Sequence, residues 1–113
     1  MSKFCIFYGS LKSSGFNYQR FFGQEKVRDL ELDNFELYNL GSFPAATKGN
    51  GKIQAELHKV SNEAFESIYQ MELGAGYHHS ELKLDDIKGI KASIFLMDKE
   101  DLVNCKKVES GNW

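Results

Sequence analysis

The chain is poor in several features that mark whole protein classes. It has one proline (Pro44), one tryptophan (Trp113) and two cysteines. Cys5 and Cys105 stand near opposite ends with no CxxC spacing, so neither a redox pair nor a zinc ribbon is encoded. No uninterrupted apolar run is longer than residues 4–8, and 92–97 rivals it only across Ser93. Both fall far short of the roughly 20 residues a bilayer-spanning helix needs. The opening Met1-Ser2-Lys3-Phe4-Cys5-Ile6 lacks a signal-peptide h-region, because Gly9-Ser10 ends the apolar stretch. An excess of basic charge is missing too. Fourteen Lys and Arg against 16 Asp and Glu give a formal charge of −2 and a pI near 5.9. That balance excludes the concentrated basic face of a nucleic-acid binder. These absences lead us to expect a cytoplasmic protein with no nucleic-acid and no membrane partner, a monomer or weak homodimer. Its thiols then have structural or incidental roles, Cys5 as a small core residue and Cys105 among Asn104, Lys106 and Lys107.

What the chain does have suits one globular domain over residues 1–113. The composition is 42% hydrophobic, 13% aromatic and 27% charged, and the length allows one real core. There is no internal repeat, low-complexity stretch or linker. Residues 3–8 are apolar on both alternating faces, as in a strand buried on both sides, and they stop at Gly9-Ser10. Asn17 can cap a short helix carrying Tyr18, Phe21 and Phe22. Residues 27–32 and 35–40 predict two strands turning at Asp33-Asn34. Residues 41–51 predict a loop around Pro44. Ile53, Ala55 and Leu57 alternate with Gln54, Glu56 and His58 in a half-buried strand pattern. Ser61 caps a helix over 62–73, ended by Gly74-Ala75-Gly76. A strand ending with Leu82 and Leu84 and another over 91–97 follow, then a charged stretch and a tail. About six strands and two helices without βαβ alternation predict an α+β fold. Periodicity leaves open whether the sheet closes into a barrel.

One helical position is out of pattern. Phe65, Ile68 and Tyr69 form an apolar stripe, and the next residue on it is Glu72. A carboxylate facing a core loses hydration, and the negative end of the helix dipole acts the same way, so its pKa should rise. Those conditions suit proton exchange near neutral pH. The other reading is that the helix frays before Glu72, which then turns to water. Gly9-Ser10 also has two readings. A strand opening into this loop can aim successive N–H groups at a carboxylate or phosphate, or be an ordinary turn. The loop matches neither the P-loop nor G-x-G-x-x-G, and Ser10 lacks the G-x-S-x-G elbow. His78 and His79 point to opposite faces of a strand, and His79 with Glu81 gives only two ligands, so no metal site is predicted.

At Phe7-Tyr8-Gly9-Ser10-Leu11-Lys12 the sequence resembles the gamma-glutamylcyclotransferase family, which includes the avirulence-induced-gene-like and butirosin-biosynthesis cyclotransferases. The remaining blocks follow in order. Asn17 matches an asparagine shortly after that loop, and Phe43-Pro44-Ala45 resembles an aromatic-Pro-Ala segment. The stretch Ile53-Gln54-Ala55-Glu56-Leu57-His58-Lys59-Val60 is similar to the V-x-G-E-L-Y-x-V strand. Residues 68–72 resemble the helix end L-D-x-x-E, Tyr77 begins the Y-x-R strand, and Ser110-Gly111-Asn112-Trp113 resembles a Gly-x-Trp ending. Departures are Ala55 for glycine, His58 for tyrosine, Tyr69 for aspartate, Leu73 for glycine and His79 for arginine.

The resemblance implies a small mixed β-barrel with flanking helices and an enzyme that needs no cofactor. Its substrate would be a small gamma-glutamyl compound. The substrate's own α-amine would attack its γ-carbonyl, releasing 5-oxoproline and an amine or amino acid. Proximity within the forming five-membered ring removes the need for an enzymic nucleophile. Glu72 would be the general base and then the general acid. Backbone N–H groups of Tyr8, Gly9, Ser10 and Leu11 would hold the substrate, with Asn17 and Tyr77 beside it. Tyr77 also reads as a core aromatic at a strand start. A non-catalytic binding module on the same fold, or another enzyme acting through Glu72, are the competing classes.

Overall fold

The computed structural model describes residues 2–9, 12, 24–84 and 90–113. The elements are β1 (Ser2–Phe7), β2 (Gln24–Asn39), β3 (Pro44–Ser61), α1 (Asn62–Gly74), β4 (His78–Leu84), β5 (Ile90–Leu96) and β6 (Lys106–Lys107), with a 3-10 turn at Lys99–Leu102. The strands make one mixed sheet in the order β4-β5-β1-β3-β2-β6. Among the described strands only the β1–β5 pair is parallel. The sheet curls into a half-barrel, and the Met97 N–H donates to Ala46 O at 3.0 Å, tying the end of β5 across to β3. The expected α+β fold, a small mixed β-barrel with flanking helices, is therefore borne out, as a half-barrel with α1 the α-helix among the described residues. No helix among the described residues is long and apolar enough to cross a membrane.

Alternation along β1 supplies both apolar layers. Ile6 and Tyr8 join Leu30, Leu37, Ile53, Leu57 and Ile94 on one side of the sheet. Cys5 and Phe7 join Val60, Phe95 and the α1 residues Ala64 and Ile68 on the other. This is the doubly buried strand that the apolar run predicts. Cys5 is buried and free, and burial pushes its thiol up to about 12.

Three expectations fail between residues 24 and 61. No turn forms at Asp33-Asn34. β2 runs straight through, pairing with β3 from Gln24↔Val60 to Asn39↔Pro44, and absorbs the irregularity by putting Asn34 at φ 68°. The hairpin turn lies at 40–43 instead, where the Leu40 N–H donates to Phe43 O at 3.0 Å. The predicted loop over 41–51 is mostly strand, because Pro44 sits at the first strand position, where a missing N–H does little harm. The half-buried pattern at 53–58 also fails. Glu56 is 5% exposed and His58 0%, so β3 is buried on both faces there. His58 Nε2 donates to Glu56 Oε1 at 2.9 Å, and Lys26 Nζ lies 3.4 Å from Glu56 Oε2, which satisfies the buried charge. The expected helix after Asn17 lies outside the described residues.

Candidate active site

The candidate residues begin where β1 ends. The buried Tyr8 phenol donates to Phe95 O and accepts from the Ala46 N–H, so it joins the end of β1 to β5 and β3. Gly9 follows because Pro44 leaves no room for a side chain. A Cβ there would stand 2.7 Å from Pro44 Cδ. The Lys12 N–H donates to Gly9 O at 3.0 Å and closes a turn. Behind Pro44, the buried Tyr77 hydroxyl donates to Pro44 O. Pro44 thus stands between the β1 exit and the start of β4.

Glu72 stands in the last turn of α1. Ser61 Oγ accepts from the Ala64 N–H at 3.1 Å and starts α1 as predicted. The helix continues through Gly74, and Glu72 O accepts from the Ala75 and Tyr77 N–H groups at 3.1 and 3.0 Å. Fraying before Glu72 is therefore excluded, and the side chain is half-buried. Among the described residues no side chain hydrogen-bonds or ion-pairs with its carboxyl group. Burial raises that group from 4.5 to about 7. Burial pushes the Tyr77 phenol up, and the Glu72 charge adds to it. Tyr8 is pushed up by burial first, then by Tyr77 and Glu72, against the Ala46 N–H. Tyr8, Tyr77 and Glu72 therefore lie within one another's fields, and both phenols stay neutral.

Ser10, Leu11 and Asn17 lie outside the described residues. The histidines are engaged elsewhere. His78 Nε2 lies 3.2 Å from Asp98 Oδ1, and His79 Nε2 lies 2.8 Å from Ser93 Oγ. The His79 ring sits 5.5 Å from those of Tyr69 and Phe95. Of the departures from the family pattern, Ala55 and His58 are core residues, so they alter packing. Leu73, beside Glu72, is 39% exposed. Reading the residues missed Pro44 as the wall behind Gly9. A lone proline opening a strand was its available signal.

Residues 5–113 match the model of the family described as gamma-glutamyl cyclotransferase, AIG2-like. The gamma-glutamylcyclotransferase family protein YtfP of Escherichia coli (strain K12) is 26% identical over 106 residues, covering 94% of this chain and 91% of that protein. The crystal structure of protein PH0828 from Pyrococcus horikoshii superposes with a TM-score of 0.78 at 25% identity, covering 97% of this chain and 88% of that one. The solution NMR structure of E. coli ytfP gives a TM-score of 0.73 at 25% identity, covering 100% and 96%. With a family match that runs from Cys5 in β1 through α1 and the remaining described strands, this chain belongs to the gamma-glutamyl cyclotransferase, AIG2-like family.

Proposed function

We propose that the protein is a cyclotransferase that converts a small gamma-glutamyl compound into 5-oxoproline and a free amine or amino acid. The observation that carries this reading is Glu72, a half-buried carboxyl group raised to about 7 whose charge acts on the buried Tyr8 and Tyr77 phenols. The substrate's α-ammonium gives a proton to the Glu72 carboxylate and becomes nucleophilic. Its nitrogen bonds to the γ-carbonyl carbon, and the bond from that carbon to the leaving nitrogen then breaks. Glu72 returns the proton to the departing nitrogen, and the second proton shed by the ring nitrogen follows it. No water and no net proton are consumed. A group titrating near 7 takes and returns a proton with little bias, as the two steps require.

The backbone of the turn from Tyr8 onward would hold the α-carboxylate, with Ser10, Leu11, Asn17 and Tyr77 as further contacts. Tyr8 and Tyr77 support Glu72 chiefly by position, because their hydroxyls are already bonded to Phe95 O and Pro44 O. The chemistry asks only for proton transfer and positioning, so no metal or organic cofactor is proposed. Cys5 and Cys105 are free thiols, in keeping with a cytoplasmic setting. The test is 5-oxoproline release from a panel of gamma-glutamyl amines and dipeptides. Turnover of a panel member supports the reading. Saturable binding without 5-oxoproline favours a non-catalytic module instead.

A further inference from the structure

Lys12 is the most unusual cation among the described residues. It is 8% exposed, yet among the described residues its ammonium meets no carboxylate side chain. It donates to Asn112 Oδ1 at 2.9 Å, and Trp113 O lies 3.5 Å away. The backbone of the same residue closes the turn on Gly9 O. One residue therefore shapes the turn at its main chain and is gripped by a distant segment at its side chain.

That distant segment is itself anchored. The Val108 N–H donates to Leu37 O at 2.7 Å, and the Gln54 N–H donates to Gly111 O at 2.7 Å. Gly111 lies so close to β3 that a Cβ would stand 2.1 Å from Lys52 O, and its φ of +70° also favours glycine. Trp113 packs against the core. Residues 108–113 are thus stitched to β2 and β3, and Asn112 carries that rigidity to Lys12. A hydrogen bond to a buried ammonium is among the stronger ones available.

We propose that Asn112 is a positioning residue: through the Lys12 ammonium it holds the Lys12 N–H on Gly9 O, and with it the Tyr8 and Gly9 backbone groups that would help seat the substrate's carboxylate. The second half of this statement rests on the cyclotransferase reading. The first half does not.

The experiment compares Asn112→Leu, Asn112→Asp and Lys12→Met in the full chain. Amide hydrogen exchange and steady-state kinetics are measured well below each thermal midpoint. In Asn112→Leu the Lys12 amide should exchange at least about tenfold faster while the Ile6 and Leu57 amides keep their protection. Asn112→Asp keeps an acceptor oxygen and should restore the parental rate. Lys12→Met removes the donor instead, leaves the 108–113 anchors in place, and should loosen the turn equally, which covers the case of a poorly folding Asn112→Leu. In turnover, Asn112→Leu should raise KM about tenfold with kcat held, the pattern of lost uniform binding. The pH midpoint should not move, since Glu72 is untouched. Parental exchange at residue 12 in a folded Asn112→Leu or Lys12→Met overturns the proposal, and so does an Asn112→Asp as loose as Asn112→Leu. Faster exchange with parental KM overturns its substrate half. A parent that releases no 5-oxoproline counts against the cyclotransferase reading and leaves the clamp to be decided by exchange alone.

Discussion

Glu36 and Glu72 are both recessed carboxyl groups, and the fold treats them in opposite ways. The Glu36 side chain is 10% exposed. Tyr38 Oη donates to it at 2.9 Å, the Asn50 N–H at 3.4 Å, and Lys99 and Lys107 stand 3.5 and 3.8 Å away. Gly49 makes this possible, since a Cβ there would lie 2.4 Å from Glu36 Cδ. The Tyr38 hydrogen bond, then the Asn50 N–H, hold Glu36 below the usual carboxylate range. Glu72 has no such company among the described residues, and burial alone lifts it to about 7. Recession by itself therefore does not make an acid-base group. What separates a structural carboxylate from one able to exchange protons is the absence of donors around it.

The largest effect expected from this contrast is on turnover. Glu72→Gln keeps size and hydrogen-bonding reach but cannot accept the α-ammonium proton. Loss of general acid–base help typically costs roughly 10²–10⁴-fold in rate, and here one residue would serve both transfers. 5-Oxoproline release should fall by that factor with substrate affinity little changed. In the parent, kcat/KM should climb with pH and level off above about 7, as the free carboxyl group ionises. A Glu72→Gln protein that releases 5-oxoproline at the parental rate would erase the distinction between the two glutamates.

Glu36→Gln should do the reverse, leaving KM and kcat alone and lowering the thermal midpoint. The expected drop is several degrees, what a loss of about 1 kcal/mol does in a domain of this size. The sign with pH follows from the lowered carboxyl group. Its stabilisation is present above the ordinary carboxylate range and is lost as pH falls through the depressed folded value. The gap between parent and variant should therefore be full at pH 7 and narrow toward pH 3. Thermal melts across that range read it directly.

These two carboxylates also mark what was legible in the sequence. Glu72 stood out because a helix repeats every 3.6 residues and the charge broke a stripe set by Phe65, Ile68 and Tyr69. The Ser61 cap and the doubly apolar β1 were equally local signals, and both are in the structure. Glu36 gave no signal, since all of its partners but Tyr38 come from β3, the 3-10 turn and β6. The same is true of Glu56 with Lys26, and of Lys12 with Asn112. Asp33-Asn34 misled because a turn dipeptide and a strand irregularity ask for the same left-handed residue. Pairing with β3 on both sides decides between them, and that pairing is a long-range fact. The curled sheet was legible only through family resemblance.

The smallest expected effect is the stability of Glu72→Gln, and it tests the cause of the raised carboxyl group apart from any reaction. The folded chain binds the Glu72 proton more tightly than the unfolded chain, with values of about 7 against 4.5. Below pH 4.5 both states keep the proton and no penalty arises. Between 4.5 and 7 the unfolded chain releases its proton while the folded chain retains it, so the parent loses stability as pH rises. Above 7 both are ionised and the loss stops growing. Such a shift has a ceiling of about 3 kcal/mol, and partial exposure cuts it to on the order of 1 kcal/mol. Glutamine carries no such penalty. Urea titrations should therefore show Glu72→Gln matching the parent near pH 4.5, pulling ahead through pH 7 and holding a constant lead beyond it. A lead that is flat across the whole range would mean that burial does not raise the Glu72 carboxyl group, and a variant that falls behind the parent as pH rises would place Glu72 with Glu36.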